Sequence, residues 1–144
     1  MTGHHRFLHT HHGKSFFARV WVEVHDHGWD EIVDALPDLV NSEAGEFNRH
    51  SAPTWVAAAL NGIGQALNHA RQTGLLGAVC RLELTRLIGS VLDTRDDVVR
   101  CAAALAAWDG LGLPGPGPEA EFNGQSWELQ FPAAILGSAE GITP

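Results

Sequence analysis

Hydrophobic and polar residues alternate without a break along SFFARVWVEVH, residues 15–25. Phe16, Ala18, Val20, Val22 and Val24 fall on one side; Phe17, Arg19, Trp21, Glu23 and His25 fall on the other. A period of two is that of a strand with one buried and one amphipathic face. The same alternation returns in AVCRLELTRLIGSVL, where Cys80, Leu82 and Leu84 point inward, Arg81, Glu83 and Thr85 point outward, and Gly89-Ser90 reads as a turn or bulge. A closing strand is predicted in EFNGQSWELQF, with an Asn-Gly turn signal followed by Trp127, Leu129 and Phe131 against Glu128 and Gln130.

Helical spacing is clearest in SAPTWVAAALNGIGQALNHARQTG. Pro53 suits a first turn, Val56, Ala59, Leu60, Ile63, Leu67 and Ala70 form one stripe, and Gly74 offers a left-handed stop. Gly62 and Gly64 each cost a helix about 0.5–1 kcal/mol relative to alanine, which implies close approach to a neighbouring sheet. A second helix follows in RDDVVRCAAALAAWDG, with Thr94 as its expected cap, Asp96 and Asp97 in the first turn where the helix dipole favours anions, and Gly110 at its close. Between the first strand and first helix, Trp29, Ile32, Val33, Leu36, Leu39 and Val40 predict a short helix broken at Pro37, with a strand as the competing reading. The chain divides into a flexible histidine-rich lead-in at 1–14, a single α+β domain at 15–132 and a loosely ordered tail at 133–144. This order of elements predicts a two-layer sandwich, a mixed β-sheet with two main helices on one face.

Composition narrows the function classes. The 144 residues are 44% hydrophobic and 18% charged, as in globular chains. A net charge of −8 with nine Lys and Arg argues against general nucleic-acid binding, and only Arg81 and Arg86 stand out as a basic face. No apolar run reaches the roughly 18 residues of a membrane span, and no secretory signal is apparent. Cys80 and Cys101 are expected as reduced, packed thiols, which points to a cytoplasmic setting.

Candidate chemistry is sparse. HHRFLHTHHGKS holds five of nine histidines, and His9, His11 and His12 are the candidate metal ligands. Solvated histidines are the plainer reading, because a metal site needs three or four converging ligands. Ser90 and Asp93 read as turn chemistry, no catalytic residues are identified, and no cofactor is expected. Phe17, Arg19 and Trp21 share an outward strand face, the mark of a partner surface. Either the segment at 29–40 folds back over them or a homodimer covers them.

Several words in this order resemble domain IV of translation elongation factor G. FARVWVEV at 17–24 resembles its first long strand, with HGKS in the place of a glycine-rich loop. WVAAALNGIGQAL at 55–67 resembles its first helix, with Gly62 on the family's helix glycine. LELTRLIGS resembles a strand ending in a Gly-Ser turn, and the second helix and WELQFP follow. The resemblance implies a fold like ribosomal protein S5 domain 2, with a left-handed βαβ crossover, against the usual right-handed rule. It also implies binding residues in two tip loops: His12, Gly13, Lys14 and Ser15 in the first, and Gly89, Ser90 and Leu92 in the second. Leu92 stands where the family usually has a histidine, and the first loop keeps only Gly13. No GxxxxGK[ST] segment accompanies them, so no nucleotide chemistry is carried over. The expectation is a non-enzymatic binding module that docks to the ribosome or another macromolecule, the alternative being a histidine-rich metal-binding protein.

Overall fold

A computed structural model describes residues 1–132, and the tail expected at 133–144 lies outside the described residues. Six strands and two helices run in the order β1 (Thr2–His11), β2 (Lys14–Asp26), β3 (Glu31–Asp34), α1 (Pro53–Gln72), β4 (Cys80–Ile88), α2 (Asp96–Leu111), β5 (Glu119–Phe122) and β6 (Trp127–Gln130). Four strands form a mixed sheet in the order β1-β2-β4-β3, antiparallel except for β3 beside β4, and β5 and β6 form a separate hairpin. Both helices cover one face of the sheet. This is the α+β sandwich that the patterning predicts.

The inward side of β2 is fully buried at Ala18, Val20 and Val22, as the alternation requires. On β4, Cys80, Leu82 and Leu84 are buried in the expected phase. The register then shifts: Val22 faces Leu84 but Trp21 faces Arg86, leaving Thr85 as an extra residue. That bulge reverses the alternation, so Leu87 enters the core and Arg86 stays outside. The irregularity expected at Gly89-Ser90 thus falls in part four residues earlier.

Residues 1–14 are not a loose lead-in. Thr2–His11 pairs with β2 along its whole length, and the two strands meet in a two-residue turn at His12 (φ 51°) and Gly13 (φ 78°). Both residues adopt the left-handed conformation that this tight hairpin needs, and only Gly13 does so without steric cost. Of the ten residues in β1, Gly3 and Phe7 alone are buried. Pairing with β2, rather than hydrophobicity of its own, holds this strand.

The helix expected between residues 29 and 40 is also absent. Glu31–Asp34 pairs parallel to β4, and Ala35 continues the pairing by donating to Leu84 O at 2.9 Å. Asp34 then turns the chain by accepting from Leu36 N at 3.0 Å. Leu36 enters the core, while Trp29 and Leu39 remain exposed. A partner strand satisfies the backbone of Ile32 and Val33, whereas Pro37 leaves too few residues for a stable helix.

The helices confirm most of their signals and correct three. Pro53 opens α1, and Gly74 (φ 73°) follows its end. Gly62, however, faces α2 and not the sheet: a Cβ there would lie 2.1 Å from Arg100 O. Thr94 does not cap α2. Its hydroxyl donates to Phe17 O at 2.6 Å and accepts from Ser90 N at 2.7 Å. The left-handed stop of α2 is Gly112 (φ 63°), and Gly110 instead lies inside the helix against Gly3 and Val24.

Gly62→Ala is expected to destabilise the protein by about 2–4 kcal/mol in urea unfolding, because the clash with backbone exceeds any gain in helix propensity. Gly64→Ala is the control. Its Cβ would meet only Ile32 Cδ1 at 3.6 Å, so it is expected to be neutral or to stabilise by up to about 1 kcal/mol.

Candidate binding face and tip

With both helices on one side, the other side of the sheet is left open, and its residues follow from register alone. His4, Trp21 and Arg86 lie directly across from one another on β1, β2 and β4, as do Arg6 and Arg19, and then Leu8 and Phe17. The ring of His4 stacks on Trp21 (centroids 4.5 Å apart, planes at 26°), and the guanidinium carbons of Arg19 and Arg86 each lie 4.8 Å from the Trp21 ring. Trp21 is therefore wrapped by its own neighbours. The segment at 29–40 does not cover it, because β3 lies beyond β4 at the far edge of the sheet.

Arg19 Nε donates to His4 Nε2 at 3.2 Å, a contact that requires His4 neutral with Nε2 bare. Burial, then the charge of Arg19, hold the His4 pKa below its ordinary value, with Asp109 opposing. Burial lowers His5 as well, helped by the neighbouring histidines His4 and His9.

Charge on this face is segregated. Towards the end of β2, Arg81 pairs with Glu83 (2.8 Å) and Glu31 (3.2 Å), and His25 meets Glu83 at 3.1 Å. Arg86 is held by Glu46 at 2.8 Å. Glu46 is correspondingly more acidic than usual, through the backbone N–H of Asn41 first and Arg86 second. The two arginines that stand out in the sequence are thus neutralised. Among the described residues, Arg6 and Arg19 have no carboxylate within ion-pair distance. Sequence reasoning missed Arg6, yet a signal was there: residues 1–22 contain Arg6, Lys14 and Arg19 and no Asp or Glu, and all 17 acidic residues lie from Glu23 onward.

Both predicted tip loops lie at one end of the sheet. The first is the His11–Lys14 turn, where the Lys14 ammonium sits 5.5 Å from the Phe16 ring centre. The second, at 89–93, is clipped to the start of β2 by the Thr94 hydroxyl and by Phe17 N donating to Asp93 O at 3.0 Å. This places Val91 and Leu92 outward, 81% and 86% exposed. Arg95 lies nearby, its guanidinium carbon 5.6 Å from Phe16, but it is paired with Asp97.

The histidines serve as aromatic packing. His9 lies 4.5 Å from Phe7 and 4.8 Å from Trp127, and His11 lies 4.7 Å from Phe122 and 4.3 Å from His12, as ring centroids. Among the described residues, no group of three or more His, Cys, Asp or Glu converges as a metal site. A concavity of about 730 Å³ is an open trough between α1 and α2 that includes Thr54, Asn61, Gln65, Asp97 and Arg100. Arg100 there is engaged by Gln65 Oε1 and Trp127 O. Cys80 and Cys101 are both buried, and burial pushes the Cys101 thiol up to about 11 and raises that of Cys80.

Two outcomes are expected. A thiol reagent at pH 8 should leave both cysteines of the native protein unmodified and label both after denaturation, because neither forms accessible thiolate. For His4 and His5 the fold favours the neutral ring, so the unfolded chain binds more protons. Stability is therefore lost as pH falls through the ordinary value of 6.5 towards the lowered folded values. Urea midpoints measured between pH 7.5 and 5 should fall, and replacing both histidines by glutamine should flatten that part of the slope.

No known protein family matches the chain, and no curated protein matches it. Among solved structures, the chain is similar to a crystal structure of a Thermus thermophilus protein at 15% identity and a TM-score of 0.53. The match covers 74% of this chain and 14% of that one. This likeness shows a shared fold, carried in the Thermus protein as a small part of a much longer chain.

Proposed function

We propose that the protein is a non-enzymatic, cytoplasmic binding module that docks to a macromolecular partner through the end of the sheet formed by residues 12–15 and 89–92. The ribosome or another translation component is the partner implied by the resemblance to domain IV of elongation factor G. The observation that carries this reading is the clip that ties the second loop to the start of β2. Three hydrogen bonds around Thr94 hold the loop at 89–93 beside the start of β2, and two large aliphatic side chains are thereby presented to solvent. Exposed Val91 and Leu92 at a fixed tip, with Lys14 alongside, have the composition of a contact surface: apolar anchors next to a cation. A docking role governed by shape tolerates the overall charge of −8.

Co-sedimentation with ribosomes tests the proposal. The protein is expected to pellet with ribosomes at low and moderate salt, and Leu92→Asp and Lys14→Glu are each expected to reduce the bound fraction several-fold without changing the unfolding midpoint. Complete recovery in the supernatant at low salt would discard the ribosomal partner.

A further inference from the structure

The outer edge of β1 has backbone groups that nothing among the described residues uses. The strands flank a two-residue turn, and Met1 exchanges both backbone bonds with Val24, so the odd-numbered residues of β1 bond to β2. The N–H and C=O groups of the even-numbered residues therefore face away from the sheet. His4 shows this directly: its N–H is accepted by Asp109 Oδ2 at 3.1 Å, a carboxylate reaching in from the end of α2. Past that plug, Arg6, Leu8 and Thr10 repeat the same outward orientation, and among the described residues no acceptor takes their N–H groups. Such a row is a template for one more strand.

The side chains on this edge specify the occupant. On the open face an added strand would place alternate residues beside Arg6 and Leu8. Arg6 is exposed, with no carboxylate among the described residues within ion-pair distance, and Arg19 stands directly behind it; Leu8 is 48% exposed, with Phe17 behind. A second copy of β1 is a poor occupant, because β1 carries Arg6 and no acid, so like charges would meet. We propose that the Arg6–Thr10 edge of β1 captures an extended acidic peptide as a fifth strand, with a carboxylate beside Arg6 and an apolar side chain two residues away against Leu8. This surface is separate from the tip loops and does not depend on what they bind.

The probe is a fluorescent peptide of alternating glutamate and leucine, read by anisotropy with the full chain. Three comparisons are made: the same peptide with lysine for glutamate, the same peptide N-methylated at alternate residues, and a short oligouridylate. Binding is expected for the acidic peptide only. Arg6→Glu should weaken it about tenfold or more, equivalent to about 1.4 kcal/mol. Leu8→Pro removes one outward N–H without touching the β1–β2 ladder and should weaken binding comparably while the unfolding midpoint stays near that of the parent. Leu92→Asp should leave binding unchanged. Equal binding of the lysine or N-methylated peptide, indifference to both β1 variants, or binding of oligouridylate in place of the peptide would each overturn the proposal.

Discussion

The closeness of α2 to the β1–β2 hairpin sets everything else in this molecule. A Cβ on Gly3 would fall 2.0 Å from Ala106 O, and α2 buries Ala102, Ala103, Ala104, Ala106 and Ala107. Only side chains this small let a helix sit so deep, and the α1–α2 crossing at Gly62 repeats the device. Packing at this density concentrates the buried apolar area on one side of the sheet. The far side is left to arginines, glutamates and histidines, a tryptophan that they surround, and the Leu8–Phe17 pair near the hairpin turn.

That division explains how a plain scaffold acquires a distinctive surface. The ion pairs at the β3–β4 side of the open face are mutually satisfied, which makes that region inert. The hairpin side is not. Among the described residues Arg19 leans on an imidazole rather than a carboxylate, Arg6 has no carboxylate within ion-pair distance, and the bulge at Thr85 turns Arg86 out onto Trp21.

What could be read from the residues was whatever a single segment decides by itself. β2, α1, α2 and the closing strand β6 carry their period internally, and each formed close to where it was expected, while the strand β5 that pairs with β6 was not read. β1 does not: its side chains are mostly polar, and its strand state comes from thirteen well-patterned residues next door. β3 likewise borrows its structure from β4. Thr94 reads locally as a helix cap, but a strand 77 positions earlier competes for its hydroxyl and wins. The tip loops were legible as positions, through resemblance, while the clip that fastens the second to β2 was not, because it depends on contacts distant in sequence. The free arginines were legible only by asking which cations have acids near enough to pair with.

The acid-free stretch of residues 1–22 has a kinetic consequence. A body whose net charge is negative but which gathers Arg6, Lys14 and Arg19 in a stretch without acids draws a negatively charged partner towards that stretch and repels it elsewhere. Encounters are then sorted by orientation before any surfaces touch. Added electrolyte dulls that sorting over a length of about 10 Å at 0.1 M, slowing capture while leaving the rate of escape nearly untouched.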